Sequence, residues 1–493
     1  MIRPFLIPPM VLLVTVACIV IGELACGTGL YFTSMMAITL SCAGITYNLL
    51  GGLSSISGII FTFCSVHWVV LSQFAKVVLL QRADAPLAAP DLTASVYALF
   101  YFCVMIGVFV FGRFRLRLPR PLEAETAAQG SILYTIALTG GLVGTVLFQL
   151  TSTLNDTGGP EDASHSAGVG LTALLLFAVV IAVDNRIRSS GGLHSFNLAV
   201  LVPAFFSSLA AFSTTERGIT VFPVIVYCMT CYFRGYRFRL KHYMALLCLA
   251  IVSAFFLFPL ESYSRQFISN KSFTERLSTV IAQARDADWT KILSYSNSQN
   301  AVASGENFED YYNLPGDQIL NRNSLIRADS NLIRGSANYH YGFTGFKQDF
   351  LFAVPRFIYK DKPEYGSSDL LAQVAGVSVD VAWNPLVSFS LIADSFGAFG
   401  WLGVIVVALF LLPVSFVVFD SVFDITRPWG TVAAPTLMMG LSEASVGRFL
   451  ITDVIRGVGY IILLSYAVGI LTRMIPTRGD SAPRRMPLIS QTR

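Results

Sequence analysis

Charge is what this chain has least of. Only 13% of its 493 residues are Asp, Glu, Lys or Arg, about half the share of an ordinary soluble protein, and the mean hydropathy is +0.63. That excludes a water-soluble fold, because domains of ordinary size cannot hide so much apolar surface. The formal charge of +4 is mild, and no basic run is interleaved with aromatics, so nucleic acid is not an expected partner. No HExxH, Walker loop or Ser/His/Asp elbow is present. The eight cysteines, Cys18, Cys26, Cys42, Cys64, Cys103, Cys228, Cys231 and Cys248, all fall in apolar stretches, which leaves the hydrophilic segments without a disulfide. Cys228 and Cys231 form a CxxC, but no second pair or nearby histidine completes a zinc site. No metal and no cofactor is expected.

What fills the chain is hydrophobic runs. A helix needs about 20 mostly apolar residues to cross a bilayer, and about twelve such runs are expected, centred near Val14, Ile38, Trp68, Val104, Leu142, Phe177, Val202, Val224, Val252, Val406, Thr436 and Leu463. The run around Pro435 and Gly440 is the most diluted by Gly, Pro, Ser and Thr. The fold class is therefore all-α, a polytopic integral membrane protein. Spans one to nine occupy 1–260, a hydrophilic loop 261–397, spans ten to twelve 398–475, and a basic tail 476–493.

Short cytoplasmic loops retain Lys and Arg. Four segments are basic: Arg113 to Arg120, Asn185 to Ser190, Phe233 to His242, and the tail from Arg473. With twelve spans all four share the side of Arg3, so both termini are expected in the cytoplasm and the long loop outside. That loop holds 12 Lys and Arg and 15 Asp and Glu, which makes it the expected seat of the chemistry. It also carries apolar clusters: Phe346, Phe350, Val354 and Phe357 are spaced for one face of a helix lying at the outer membrane boundary, with Pro355 expected to kink it.

The stretch Pro355-Arg356-Phe357-Ile358-Tyr359-Lys360-Asp361-Lys362-Pro363 puts three cations just outside the membrane. An arginine fork can grip diphosphate oxygens and stays charged at any working pH; attraction to anionic lipid headgroups is the plainer reading. Arg217 sits in the tight loop Ser213 to Gly218, where Glu216 is a possible ion-pair partner. Arg334 is separated by ten residues from Gly345. Asp286-Ala287-Asp288 reads as a solvated acidic turn.

Three stretches, Glu216-Arg217-Gly218, Pro355-Arg356-Phe357 to Lys362-Pro363, and Ser390 to Gly403 (SLIADSFGAFGWLG), make the chain resemble the Wzy-type O-antigen and exopolysaccharide polymerases, and more loosely the O-antigen ligases. The resemblance lies mainly in the C-terminal half. It implies a bacterial inner-membrane protein with a large periplasmic loop, a multi-spanning, GT-C-like glycosyltransferase that uses lipid carriers rather than nucleotide sugars. Its substrates would be glycans linked to undecaprenyl (polyprenyl) diphosphate. Its other partners would be membrane lipids, a chain-length regulator and export proteins. The family's periplasmic arginines map onto Arg217, Arg356 and, through the Arg-x10-Gly spacing, Arg334. Asp394 stands where an acidic residue, often glutamate, is expected.

The chemistry that follows is attack by a hydroxyl of one lipid-linked repeat unit on the anomeric carbon of the growing chain, with lipid diphosphate leaving. Guanidinium groups placed at the leaving diphosphate stabilise the charge that grows there, with Lys360 or Lys362 assisting. A base is sought among His340, Asp349 and Glu364; His340 otherwise serves as a sugar contact or packs within Tyr339-His340-Tyr341. Tyr311, Tyr312, Tyr339 and Tyr341 are candidates for stacking on sugar rings. A ligase differs only in its acceptor. A flippase would place polar groups along its central helices, where this chain has few exceptions, among them Glu23, His67 and Lys76. A noncatalytic partner in an export complex is the remaining alternative.

Overall fold

The computed structural model describes residues 5–474 apart from 115, 120, 122–126, 155–162, 215–220, 258, 261–263, 265–272, 286–288, 290–310, 313–323, 355–366, 377–387 and 443–444. Every regular element among the described residues is a helix. In hydrocarbon each main-chain N–H and C=O needs a partner within the protein, and a helix supplies all of them locally.

The helices, in chain order, are α1 (Pro9–Ala25), α2 (Leu30–Leu49), α3 (Ile56–Val78), α4 (Pro90–Phe111), α5 (Ala127–Leu154), α6 (Ala163–Ser189), α7 (Leu198–Thr214), α8 (Phe222–Phe233) and α9 (Leu240–Val252). The hydrophilic loop contributes α10 (Phe273–Arg285), α11 (Ile326–Ser336), α12 (Thr344–Ala353) and α13 (Ser368–Val374). The chain then returns through α14 (Leu391–Val422), α15 (Pro428–Ser442) and α16 (Val446–Thr472). Six of these, α2, α3, α4, the Gly130–Leu147 part of α5, α14 and α16, are long and apolar enough to cross a membrane, and four apolar helices of 10–17 residues join them. Each of the twelve expected run centres lies inside a helix or, for Val252, at its last residue.

Small residues set the packing. A Cβ added at Gly107 of α4 would lie 2.4 Å from the Leu409 carbonyl oxygen of α14, and one at Gly144 of α5 would lie 2.4 Å from the Leu171 Cβ of α6. Backbones that close gain dispersion contact along their whole length, which replaces the hydrophobic drive that lipid does not supply.

The helix expected from Phe346 to Phe357 begins as anticipated but stops at Ala353. Val354 is extended, at φ −68° and ψ 130°, because the ring of Pro355 drives the preceding residue out of the helical region. Within α12 the apolar side chains Phe346, Phe350 and Phe352 point outward while Asp349 is buried. This is the inverse of a soluble amphipathic helix and suits an element whose outer neighbour is lipid.

Two ends of the bundle differ in what closes them. At one, the start of α4 is bound to α11: the main-chain N–H of Ala89 and the Thr93 hydroxyl both reach the Ser330 hydroxyl at 3.0 Å. At the other, the Leu116 N–H donates to the Ser421 hydroxyl at 3.0 Å, and Arg234 after α8 meets Asp184 of α6 at 2.6 Å.

Candidate functional site

The end closed by the loop is built on three buried aspartates. Asp329 of α11 accepts from the Ser390 N–H at 2.9 Å, from the Ser390 hydroxyl and from the Tyr97 hydroxyl of α4. Ser390 is the N-cap of α14, its oxygen accepting the Ala393 N–H at 3.3 Å, so one carboxylate joins the loop to the start of α14 and to α4 two turns in. Burial pushes the Asp329 carboxyl up from 3.8 to about 6, the hydrogen bonds from Ser390 and Tyr97 opposing it only in part.

Asp394, one turn into α14, accepts from the Tyr341 hydroxyl and from the Val446 N–H at 2.6 Å. Asp349 of α12 accepts from the Ser367 N–H at 2.9 Å, the Ser367 hydroxyl at 3.0 Å, the Ser445 hydroxyl and the Arg448 N–H at 3.2 Å. Ser445 caps the start of α16. Each carboxylate is thus answered by main-chain N–H and hydroxyl donors, the usual chemistry of a helix start.

Between these anchors α14 is broken. Phe399 takes φ −139°, ψ 20° and Gly400 φ 62°, ψ −144°, the latter a backbone region open to glycine. The break frees carbonyls one turn earlier, and the loop fills them: the Tyr341 N–H donates to the Gly397 carbonyl at 3.2 Å and the Gly342 N–H to the Ala398 carbonyl at 2.9 Å. The His340 ring lies over the break. A Cβ on Gly400 would come within 2.7 Å of its Nε2, and Phe396 meets the ring edge-on at 5.7 Å. Irregular backbone inside an apolar helix is tolerated where protein buries it, and such interruptions are frequent at substrate sites.

The predicted residues divide as follows. Arg334 stands exposed on the last turn of α11, and Tyr339 and His340 follow it, both exposed. Tyr341 is 5% exposed and its ring sits against Gly397. Its hydroxyl is held well above the usual range by burial and then by the Asp394 charge, so its place is in the scaffold, with no face open to a sugar. Asp394 is equally enclosed. Tyr311 and Tyr312 are also buried, beneath the ammonium of Lys76, which lies 4.2 Å from the Tyr311 ring centre. Of the three candidate bases, Asp349 is buried and committed to its donors, His340 is exposed, and Glu364 lies outside the described residues. Arg217, Arg356, Lys360 and Lys362, with Glu216 and the Asp286/Asp288 pair, also lie outside the described residues.

Sequence reading missed Asp329 and the segment Ser445 to Arg448. A serine before an apolar run is a helix-start signal, and it was there to be read at Ser445. An aspartate within an amphipathic stretch such as Ile326–Ser336 carries no comparable mark. Among the described residues no group of three or more His, Cys, Asp or Glu is placed to hold a metal ion. Comparison of the chain with protein-family models, with curated proteins and with solved structures returns no match.

Proposed function

We propose that the chain is a glycosyltransferase that polymerises lipid-linked oligosaccharides, joining repeat units carried on polyprenyl diphosphate. In this reading it is an inner-membrane, GT-C-like protein of about twelve spans, with both termini in the cytoplasm and residues 261–397 in the periplasm. The observation that carries it is the seating of Tyr339 to Gly342 on the broken helix α14, by the hydrogen bonds to the Gly397 and Ala398 carbonyls. That seating holds an exposed imidazole and an exposed aromatic ring a few residues after the exposed Arg334, at the end of an apolar bundle. A sugar on a lipid diphosphate presents the same sequence of needs: an apolar path for the tail, cations for the diphosphate, and aromatic and basic groups for the sugar.

In the reaction an acceptor hydroxyl oxygen forms a bond to the anomeric carbon of the growing chain. The bond from that carbon to the diphosphate oxygen breaks, and its electron pair leaves on the diphosphate. Arg334, with Arg217 and Arg356, takes up the growing negative charge, and His340 takes the hydroxyl proton. Neutralising a leaving group from a pre-placed guanidinium lowers the barrier without reorganisation, and losing one such donor costs about 10² to 10³ in rate. Lys360 and Lys362 assist at the diphosphate.

The test is deletion of the gene followed by electrophoresis of surface glycan. Loss of a polymerase leaves single capped repeats; complete absence of glycan on the final acceptor identifies a ligase, and accumulation of cytoplasm-facing lipid-linked units a flippase. Complementation with Arg334→Ala or Arg356→Ala is expected to yield little polymer. Full-length polymer from both variants removes the arginines from the mechanism.

A further inference from the structure

Two further exposed cations neighbour a main-chain contact in the same region. A Cβ added at Gly447 would meet the Phe346 Cα at 3.0 Å and the Asp349 Oδ2 at 2.7 Å, so the first turns of α16 and α12 touch main chain to main chain. Asp349 fixes that contact through Ser445 and the Arg448 N–H. The residues next to the contact on each strand of chain, Lys347 and Arg448, are both exposed. The carboxylates beside them, Asp349 and Asp394, are buried and already filled by Ser367, Ser445, Tyr341 and the N–H groups of Val446 and Arg448. Phe346 and Phe350, exposed on α12, give this edge an apolar surface. Positive charge next to an apolar surface suits an amphiphile with an anionic headgroup.

We propose that Lys347 and Arg448 form a binding site for the diphosphate of a lipid carrier, with its isoprenoid chain lying on the Phe346 and Phe350 face. The inference rests on the polymerase reading and adds two residues to it. Arg448 supplies a planar fork for two oxygens and Lys347 a mobile point charge. The main-chain contact at Gly447 brings their backbones close, and in the proposed site both long side chains turn to one headgroup. Charge-assisted hydrogen bonds of this kind are each expected to contribute about tenfold in affinity.

The experiment uses the full chain in detergent micelles, with native mass spectrometry reading the binding of polyprenyl diphosphate, the polyprenyl alcohol of equal length and phosphatidylglycerol. Wild type is expected to prefer the diphosphate over the alcohol by more than about a hundredfold. Lys347→Gln and Arg448→Gln each lower that preference about tenfold and the double variant about a hundredfold, leaving what the arginines of the proposed mechanism contribute. Lys241→Gln, an exposed lysine of α9, leaves it unchanged. Both target side chains are exposed, and a size-exclusion profile verifies that the variants fold. A preference undiminished in the double variant overturns this site alone. Equal losses with phosphatidylglycerol overturn it too, by marking a general headgroup contact. No preference in wild type overturns the polymerase reading along with it.

Discussion

Two buried-acid regions of this molecule are built on opposite terms. Asp184 in α6 is met by guanidinium groups: Arg234 at 2.6 Å and Arg188 at 3.0 Å. At the loop end, Asp329, Asp349 and Asp394 are met by serine and tyrosine hydroxyls and main-chain N–H groups. In the first arrangement the arginines are consumed in holding the protein together. In the second the acids do the holding with neutral donors, and the cations nearby, Arg334, Arg448 and Lys347, stay exposed. A region that must bind an anion gains from the second arrangement, since a guanidinium already paired to a carboxylate has little field left to offer.

The contrast is open to direct attack. Asp329→Ala is expected to have the largest effect, because it strands the Ser390 N–H and the Tyr97 hydroxyl in a dry site. At about 1–3 kcal/mol for each unpaired group, the loss is about 2–6 kcal/mol, read as a lowered unfolding temperature and earlier proteolysis of the loop. A variant as stable as wild type removes Asp329 from its place in the scaffold.

The next effect is pH dependence. The Asp329 carboxyl rises from 3.8 unfolded to about 6 folded, so its protonation favours the docked loop. That stabilisation is fully present below pH 4 and lost as pH rises through 6, a change of about 3 kcal/mol by linkage. Unfolding measured between pH 4 and pH 7 is expected to show this slope in wild type and to lose it in Asp329→Asn. An identical slope in both assigns the effect elsewhere.

Gly400→Ala places a side chain in a left-handed backbone position and against the His340 ring. The expected cost is about 1–3 kcal/mol, with a drop in polymer length that exceeds the loss of folded protein measured in the same membranes. Polymer falling only in proportion to protein denies the break a role in positioning His340.

Asp184→Asn is expected to have the smallest effect. Arg188 is 67% exposed and can turn to water, while Arg234 at 22% is more enclosed; the loss is about 1–2 kcal/mol. If this change costs more stability than Asp329→Ala, the contrast between the two regions fails.

Much of the fold was legible because apolar run length maps directly onto helix length in a bilayer. The centres from Val14 to Leu463 and the start of α12 follow from composition and periodicity alone, whereas the loop boundary expected at 397 falls inside α14, which begins at Leu391 and so takes in Asp394. The site was harder to read. Tyr339 and Tyr341 flank the same histidine, yet one is exposed and the other locked against Gly397; the docking of this stretch on the broken helix α14, a distant segment of the chain, separates them. Asp349 reads as a candidate base in the sequence, because its partners, Ser367 and Ser445, belong to other segments. Pairings of that kind depend on which helices become neighbours, and no local pattern records this.

The bond from Ser445 to Asp349 spans 96 residues, and that distance has a consequence for assembly. The loop leaves the ribosome well before this fastener is made, and residues 326–353 cannot complete their arrangement until α16 has entered the membrane. A nascent chain halted ahead of residue 445 is expected to insert its earlier helices normally while its loop stays open to protease. Completion of the loop is in this way timed by the arrival of α16.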